Sequence, residues 1–430
     1  MTPAPLLTLL AIASLLVPAQ GEKGEKGEKG DKTDGSRLAV YLVTFGPGPQ
    51  VWERFGHNTI LFRDTVIGEG PAYDYGRFSF EEKRFVLKFA RGEMWYWMGR
   101  EAGVEMIDRY LRLGRSVWIQ ELTLPPAARA RLLDSLEANY ARERGIYRYD
   151  YYRDNCSTRI RDMIDLVAGG AIRAALETAP SGVSYRFHTR RSLENNLLFY
   201  GGVMTALGPA ADRPISKWEE AFLPMELQRH IREVEVLDPS GRLVPLVKGE
   251  IAVAESGLHG VPAQPSREPL LVSLGFGAGI GLVIALLGRL GSRRAAARRV
   301  FIVFAGLWEL AAGLAALLIL WFWVLSEHTV AHRNANIFQF NLLALVVLVS
   351  LSAVASGRVR GAGRAARLFA VATAVVSLAG PVVQFLTGWG QQNAEVVGLA
   401  LPAHLGVAIG LVSVTGSPSL LPSEAPPAPR

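Results

Sequence analysis

The distribution of apolar residues divides the chain into two parts. Residues 36–260 mix apolar and charged positions as globular domains do, whereas residues 269–414 consist of long apolar runs broken by short polar loops. Five of these runs are long enough to cross a bilayer as helices. They span about 269–289, 300–324, 337–356, 367–387 and 395–414. The pattern therefore predicts a water-soluble part followed by a membrane part of five transmembrane helices.

Within the soluble part, alternating apolar and polar positions indicate strands, and apolar residues three or four positions apart indicate helices. Helices are predicted at 126–140 and 157–167. Strands are predicted at 38–45, 58–62, 72–75 and 116–122. This mixture is typical of an α+β domain.

The amino terminus predicts export. Its first 19 residues contain an apolar core of signal-peptide length followed by small residues, but no Lys or Arg precedes the core, so an uncleaved anchor is the alternative. Residues 20–36 include three Gly-Glu-Lys repeats and are interpreted as a flexible charged linker. The predicted organisation continues with a soluble domain at 37–266, a membrane domain at 267–415 and a disordered tail at 416–430.

The net charge of +7 raises the question of an acidic partner such as nucleic acid. Many of the arginines lie in two short loops between apolar runs: Arg289, Arg293, Arg294, Arg298 and Arg299 in one, and Arg358, Arg360, Arg364 and Arg367 in the other. The alternate loops, 326–336 and 388–394, hold one arginine and no lysine. Cytoplasmic loops are the ones enriched in Lys and Arg, so the soluble domain is predicted to face outward. Membrane topology therefore explains the positive net charge, and no nucleic-acid partner is predicted.

The chain has one cysteine, Cys156, directly before a predicted helix. It has no partner for a disulfide within the chain, so it is either a reactive nucleophile or incidental. Asp154 or Asn155 can cap the helix, and free N–H groups at a helix start favour the thiolate. A thiol acyl-transfer catalyst also needs a base, for which His57, beside Gly56, is the candidate.

The other members of a catalytic site can be sought near these two residues. Asp74, on the next predicted strand, is the candidate for orienting the imidazole. Asn155 and the backbone N–H of Cys156 are candidate oxyanion donors. His188 is an alternative base to His57. On spacing alone, a buried thiol and a structural histidine explain the pair better than catalysis does. The helix-start position and the predicted export of an unpaired cysteine put the two explanations on an equal footing.

Three further features have ordinary explanations. His328 and His332, with Glu327 beside them, have a spacing of four residues that could bind a metal. No further strong ligand accompanies them, so no metal site is predicted. The aromatic segment 94–98 is interpreted as core, with lipid contact as the alternative. A basic group is interpreted either as a contact for phospholipid headgroups or as a solvated face. It consists of Arg186, His188, Arg190 and Arg191.

Several motifs together resemble the periplasmic domain of the Lnb family of bacterial lipoprotein N-acyltransferases. The order of His before Asn-Cys is also that of circularly permuted papain-like enzymes such as lecithin:retinol acyltransferase. The motifs cover about residues 38–235 and are far more specific jointly than singly. They are the segments 41–48, 52–53, 55–57, 73–78, 149–159, 208–214 and 222–224.

The resemblance implies a permuted papain-like periplasmic catalytic domain followed by a five-helix transmembrane bundle in the bacterial inner membrane. It implies an enzyme that takes a fatty acyl chain from a phospholipid and passes it to the α-amino group of a lipid-anchored protein. Cys156 would be the nucleophile, His57 the base and Asp74 the orienting residue. No cofactor is implied. The charged linker and the long membrane part match the family least well, so the resemblance leaves the acceptor open.

Two other functions compete with this one. A hydrolase that cleaves cell-wall peptides or proteins would use the same residues with water as the acceptor. A receptor or scaffold would leave Cys156 without a chemical role. The long membrane part favours a lipid substrate, because tethering to the membrane raises the effective concentration of lipid-anchored substrates.

Overall fold

A computed structural model describes residues 34–415 except 143–144, 357–360 and 388. The predicted signal peptide, most of the charged linker and the predicted disordered tail lie outside the described residues. The chain separates into two compact units. The first contains the described residues up to Leu193 together with Pro214–Gln264, and the second contains Glu194–Arg213 and the residues after Gln264. Residues 194–213, which the sequence placed in the soluble domain, thus group with the apolar helices.

The first unit is built on strands whose central members follow the predicted pattern. The strands are β1 (Leu38–Phe45), β2 (His57–Asp64), β3 (Pro71–Arg77), β4 (Trp95–Ala102), β5 (Val117–Leu122), β6 (Tyr147–Arg148), β7 (Pro180–Ser184), β8 (Pro214–Ser216), β9 (Glu235–Leu237), β10 (Leu243–Pro245) and β11 (Val247–Ala254). Seven form one antiparallel sheet in the order β11-β5-β1-β2-β3-β4-β6. The remaining four make two small pairs, β7 with β8 and β9 with β10.

The helices complete an α+β unit and a helical unit. They are α1 (Phe85–Arg91), α2 (Gly103–Arg112), α3 (Pro126–Ala141), α4 (Cys156–Val167), α5 (Ala171–Leu176), α6 (Tyr185–Leu193), α7 (Leu197–Ala206), α8 (Lys217–Glu220), α9 (Pro224–His230), α10 (Glu268–Gly291), α11 (Ala295–Val324), α12 (Leu343–Ser356), α13 (Ala362–Thr387) and α14 (Ala394–Thr415). The four predicted strands and the two predicted helices of the soluble part are confirmed to within two residues at each end.

The sheet is covered on both faces, because successive residues of a strand point to opposite sides. Val40 and Leu42 of β1 pack in the same core as Leu132 of α3 and Ile160 of α4. Val43, on the opposite face of β1, packs with Met106 of α2. Helices α3 and α4 therefore cover one face of the sheet and α2 covers the other.

Strand register brings two predicted site residues to one face of the sheet. Phe45 pairs with His57, and Thr59 pairs with Asp74. Directly opposed residues and residues two apart on one strand share a face. His57 and Asp74 therefore project on the same side, at the end of the sheet where β1 finishes.

Among its described residues, the second unit has four helices long and apolar enough to cross a membrane: α10, α11, α13 and α14. The third predicted run, 337–356, is not confirmed as a span, because α12 is a shorter apolar helix that begins only at Leu343. Residues before it carry polar side chains that bind other segments. Gln339, for example, donates from Nε2 to the Ser377 carbonyl at 2.9 Å, and its Oε1 accepts from Ser377 Oγ at 2.5 Å. Such buried bonds replace the helical pattern that the hydropathy predicted.

Glycines allow α10 and α14 to lie in close contact. A Cβ atom added at Gly277 would lie 2.2 Å from the carbonyl oxygen of Gly398, and one at Gly281 would lie 2.2 Å from that of Pro402. No side chain larger than hydrogen fits at these two positions without moving the helices apart. Small residues at helix contacts are typical of membrane bundles.

Candidate active site

Cys156 is the first residue of α4, and its neighbour Asn155 is the N-cap. The Asn155 side-chain oxygen accepts hydrogen bonds from the N–H groups of Ser157 and Thr158, both at 2.9 Å. In return, the Thr158 hydroxyl accepts from the Asn155 N–H at 2.8 Å. This reciprocal cap fixes where the helix begins. It places the thiol in the first turn, where the helix has no internal acceptor for the Cys156 N–H and where the dipole favours negative charge.

The amide nitrogen of Asn155 is fully occupied by two backbone carbonyls. Nδ2 donates to Tyr151 O and to Phe222 O, both at 2.9 Å. The Ser157 hydroxyl donates to Ala221 O at 2.7 Å in the same region. An amide NH2 group has two hydrogens, so none is left for an oxyanion. Asn155 holds the helix start in place, and the oxyanion role that the sequence indicated for its side chain is not supported by this geometry.

His57 lies between a carboxylate and the thiol. Its Nε2 is 3.0 Å from Oδ2 of Asp74, and the Cys156 side chain lies close enough to the ring to raise the pKa of His57. Because Nε2 is directed at the carboxylate, Nδ1 is the nitrogen left to face the thiol. The imidazole is only 15% exposed. The structure therefore brings Cys156, His57 and Asp74 together in the order thiol, imidazole, carboxylate.

Electrostatics favour a charged imidazole at this position. Burial by itself lowers the pKa of His57, but the electrostatic effect of Tyr110 and the hydrogen bonds with Asp74 and Cys156 outweigh it, so the pKa lies well above its usual value. Burial likewise raises the pKa of Asp74, and the nearby His57 and Arg77 more than reverse this, so the net pKa is lowered. An imidazole with a raised pKa beside an ionised carboxylate accepts the proton of a thiol and holds it, which leaves an imidazolium–thiolate pair.

Asp74 is held by a chain of ion pairs. Its Oδ1 accepts from Nε of Arg77 at 2.9 Å, and Arg77 in turn pairs with Glu101. Arg109 of α2 binds both oxygens of Glu101, with 2.5 Å between Nη1 and Oε2 and 2.9 Å between Nη2 and Oε1. The carboxylate that faces His57 thus has a fixed orientation, as is usual for groups that support a catalytic base.

Gly99 makes room for this arrangement. It pairs with Asp74 across β3 and β4, and a Cβ there would lie 1.8 Å from Nε of Arg77 and 2.2 Å from Oδ1 of Asp74. We therefore expect Gly99→Ala to separate Arg77 from Asp74 and to slow alkylation of Cys156 by iodoacetamide about tenfold or more, since alkylation requires the thiolate and its geometry. Gly249→Ala on β11 is the matched control, because nothing lies within 4 Å of a Cβ at that position. Equal alkylation rates in the two variants would contradict the expectation.

Sequence reasoning missed two residues beside the site, Tyr110 and Arg115. The ring of Tyr110 stacks on Phe45 at 3.7 Å between centroids and lies 6.1 Å from the ring of His57. Arg115 is almost fully buried, with its guanidinium 4.6 Å from the Tyr110 ring centroid and its Nε donating to Gly46 O at 2.8 Å. Its nearest carboxylate, Glu53, is 3.7 Å away.

The guanidinium of Arg115 is incompletely paired. Its Nη2 has no hydrogen-bond partner among the described residues. Burial lowers the pKa of Arg115, and electrostatic interactions with Tyr110, Glu53 and Cys156 partly offset this. A buried cation with so few partners is costly unless a negative charge comes near it. The arrangement favours an anion at or near Cys156.

His188 belongs to a different cluster. Its Nε2 is 2.9 Å from Oε1 of Glu220, and its Nδ1 accepts from Nε of Arg191 at 3.0 Å. Both ring nitrogens are engaged, so His188 has none to offer a thiol. His230 contacts the same carboxylate, with 2.6 Å between its Nε2 and Oε2 of Glu220. These contacts lower the pKa of Glu220 to about 2 in spite of its burial, which acts in the opposite direction.

This cluster contains residue types that bind metals, but its carboxylates are already paired with arginines. His188, Glu220 and Glu226 could offer three ligand atoms within 4.8 Å of one another. However, Arg191 and Arg229 each bind Glu226 at 2.7 Å. Two guanidinium groups already neutralise the carboxylates, so the donors do not fit a cation. The predicted basic group is also wrong as a surface feature, since Arg186 and His188 are buried.

The fold and site define a class: a membrane-anchored protein whose α+β unit carries a thiol, an imidazole and a carboxylate in contact. Two family models match the chain, the Lnb N-terminal periplasmic domain at residues 29–196 and the Lnb transmembrane domain at residues 276–398. The first match contains Cys156, His57 and Asp74. The chain belongs to the Lnb family, with a periplasmic domain and transmembrane helices, and membership suggests a membrane enzyme that modifies lipoproteins. No curated protein and no solved structure matches the chain.

Proposed function

We propose that the protein is a thiol acyltransferase that moves a fatty acyl chain from a phospholipid to the N-terminal amine of a lipid-anchored protein. The observation that carries the proposal is the contact of Cys156 with His57, and of His57 with Asp74, inside a domain of the Lnb family. A permuted papain-like fold for the first unit and an inner-membrane location belong to the same proposal.

The first half-reaction acylates the cysteine. His57 removes the proton of the Cys156 thiol, and the sulfur attacks the ester carbonyl of the phospholipid. When the tetrahedral intermediate collapses, the C–O bond breaks and His57 gives its proton to the departing alkoxide. The products are a thioester on Cys156 and a lysophospholipid.

The second half-reaction consumes the thioester. The amine of the acceptor attacks the thioester carbonyl, His57 takes a proton from the amine nitrogen, and the C–S bond breaks. The proton returns to the sulfur, so the free enzyme is regenerated and the acceptor carries a new amide. No metal or redox cofactor takes part in this sequence.

Charge stabilisation comes from two sources in this scheme. The Cys156 N–H and the α4 dipole act on the thiolate and on the oxyanion. The buried guanidinium of Arg115 supplies a full positive charge nearby and has an unpaired Nη2. Asp74 positions His57 and does not contact the substrate.

Intact-mass spectrometry of the purified protein tests the proposal. After incubation with phospholipid vesicles and before any reducing agent, we expect wild type to gain the mass of a fatty acyl group. The adduct should be removed by hydroxylamine and absent from Cys156→Ala. Because the vesicles contain no amine acceptor, only water can consume the thioester, and acid quenching at short times detects an adduct that hydrolyses fast. If no adduct forms in wild type at any time, while a peptide substrate is cleaved in a Cys156-dependent way, the hydrolase replaces the acyltransferase.

A further inference from the structure

Helix α1 is exposed and apolar at once. None of its seven residues, Phe85–Arg91, is buried. The side chain of Val86 is 78% exposed, and Leu87 and Phe89 are also exposed. Exposed apolar residues clustered in this way usually mark a contact surface.

Two aromatic side chains extend this surface. Trp52 and Phe80 are both more than half exposed and touch each other, with 5.1 Å between ring centroids. Phe80 also contacts Phe85 of α1 at 5.2 Å. We call Trp52, Phe80 and α1 the apolar surface.

Aromatic contacts continue from the apolar surface to the nucleophile. Phe80 contacts Phe78 at 4.9 Å, Phe78 stacks on Tyr96 at 5.0 Å, and Tyr96 stacks on Tyr149 at 4.2 Å between ring centroids. Tyr149 and Cys156 both border Gly76. A Cβ at Gly76 would lie 3.2 Å from Cβ of Cys156 and 3.7 Å from the Tyr149 ring.

The charges around α1 are basic in excess. Lys83, Arg84 and Arg91 are exposed together with one carboxylate, Glu81, and Lys88 pairs with Glu82. Apolar and aromatic side chains interleaved with lysine and arginine are the composition of segments that lie in a lipid–water interface.

We infer that the apolar surface is where the acyl chain of a membrane phospholipid meets the first unit, and that Phe78, Tyr96 and Tyr149 form one wall of its path to Cys156. That the bound phospholipid is the acyl donor rests on the proposed function. Contact of the surface with lipid does not depend on it. The basic residues beside α1 lie near the lipid phosphates while the acyl chain follows the aromatic wall.

The single cysteine makes lipid contact directly measurable. Cys156→Ser leaves no cysteine in the chain. On that background, Val86→Cys and, as a control, Leu243→Cys are labelled with an environment-sensitive fluorophore; Leu243 lies on β10 of the same unit and is 64% exposed. The full-length protein is reconstituted in phosphatidylcholine–phosphatidylglycerol vesicles that contain a spin-labelled lipid quencher. We expect blue-shifted, quenched emission at position 86 and neither effect at position 243.

Purified protein in vesicles has no acceptor protein, so quenching at position 86 reports lipid. Equal emission and equal quenching at both positions would overturn the inference. A second copy of the chain as the occupant would instead give self-quenching that disappears when labelled protein is diluted with unlabelled protein, and this outcome also counts against lipid.

Acylation provides a second readout in the otherwise native protein. We expect Val86→Asp to slow thioester formation from vesicles about tenfold, as loss of one apolar side chain that lipid contact buries implies, and Leu243→Asp to have no effect. A soluble short-chain thioester donor should acylate all three proteins at the same rate. Wild-type rates for Val86→Asp on vesicles would refute the path, whereas absence of any thioester in wild type would refute the proposed function and leave the fluorescence result standing.

Discussion

His57→Gln is expected to slow acylation of Cys156 about 10²- to 10⁴-fold, the range that a general base contributes. Glutamine can still bond to Asp74, so the β2–β3 contact is kept, but it cannot take the thiol proton at neutral pH. The raised pKa of His57 adds to the expected loss, because the wild-type ring holds the transferred proton strongly. Rapid quench followed by intact-mass spectrometry measures the single-turnover rate.

His188→Gln is the informative comparison, since His188 is the other histidine that the sequence offered as a base. It lies in the Glu220 cluster with both nitrogens engaged, so its replacement should affect the thermal midpoint more than the acylation rate of the folded protein. The opposite pattern, a large loss of rate with His188→Gln and a small one with His57→Gln, would exchange the two roles.

Local patterns explain what the sequence predicted well. The alternation at 38–45 and the helical spacing at 157–167 are each properties of a single segment, and both elements form where expected. Cys156, His57 and Asp74 were found because each lies at or next to such an element and has a side chain of the right chemistry. Their mutual contact was a hypothesis that no local pattern could establish.

Non-local contacts explain what was missed. Arg115 precedes β5, and only the pairing of Val117 with Phe45 brings it beside the end of β1. Tyr110 reaches the site from α2, on the face of the sheet opposite to α4. Hydropathy likewise predicted the third membrane run from residue 337, whereas its helix begins at Leu343, because polar side chains before it, such as Gln339, bind a neighbouring helix.

The environment of Asn155 shows how the same residue type can mislead. An asparagine beside a cysteine is a reasonable oxyanion donor. In this protein, however, Nδ2 of Asn155 donates both hydrogens to the backbone carbonyls of Tyr151 and Phe222, the latter 67 residues further along the chain. A sequence pattern cannot tell a capping side chain with occupied donors from one with free donors. Mutation can, because the two roles affect different measurements.

Asn155→Ala is expected to lower the free energy of unfolding of the first unit by about 2–4 kcal/mol, because the cap is lost and two buried carbonyls lose their donor. Asn155→Ser restores a cap acceptor but not the two donors, so its thermal midpoint should lie between those of Asn155→Ala and wild type. Differential scanning fluorimetry of the full-length protein measures all three midpoints. An oxyanion role alone would leave the midpoints unchanged and reduce only the acylation rate. A cap that positions the thiol instead predicts that the midpoint and the rate fall together, and that serine recovers part of both.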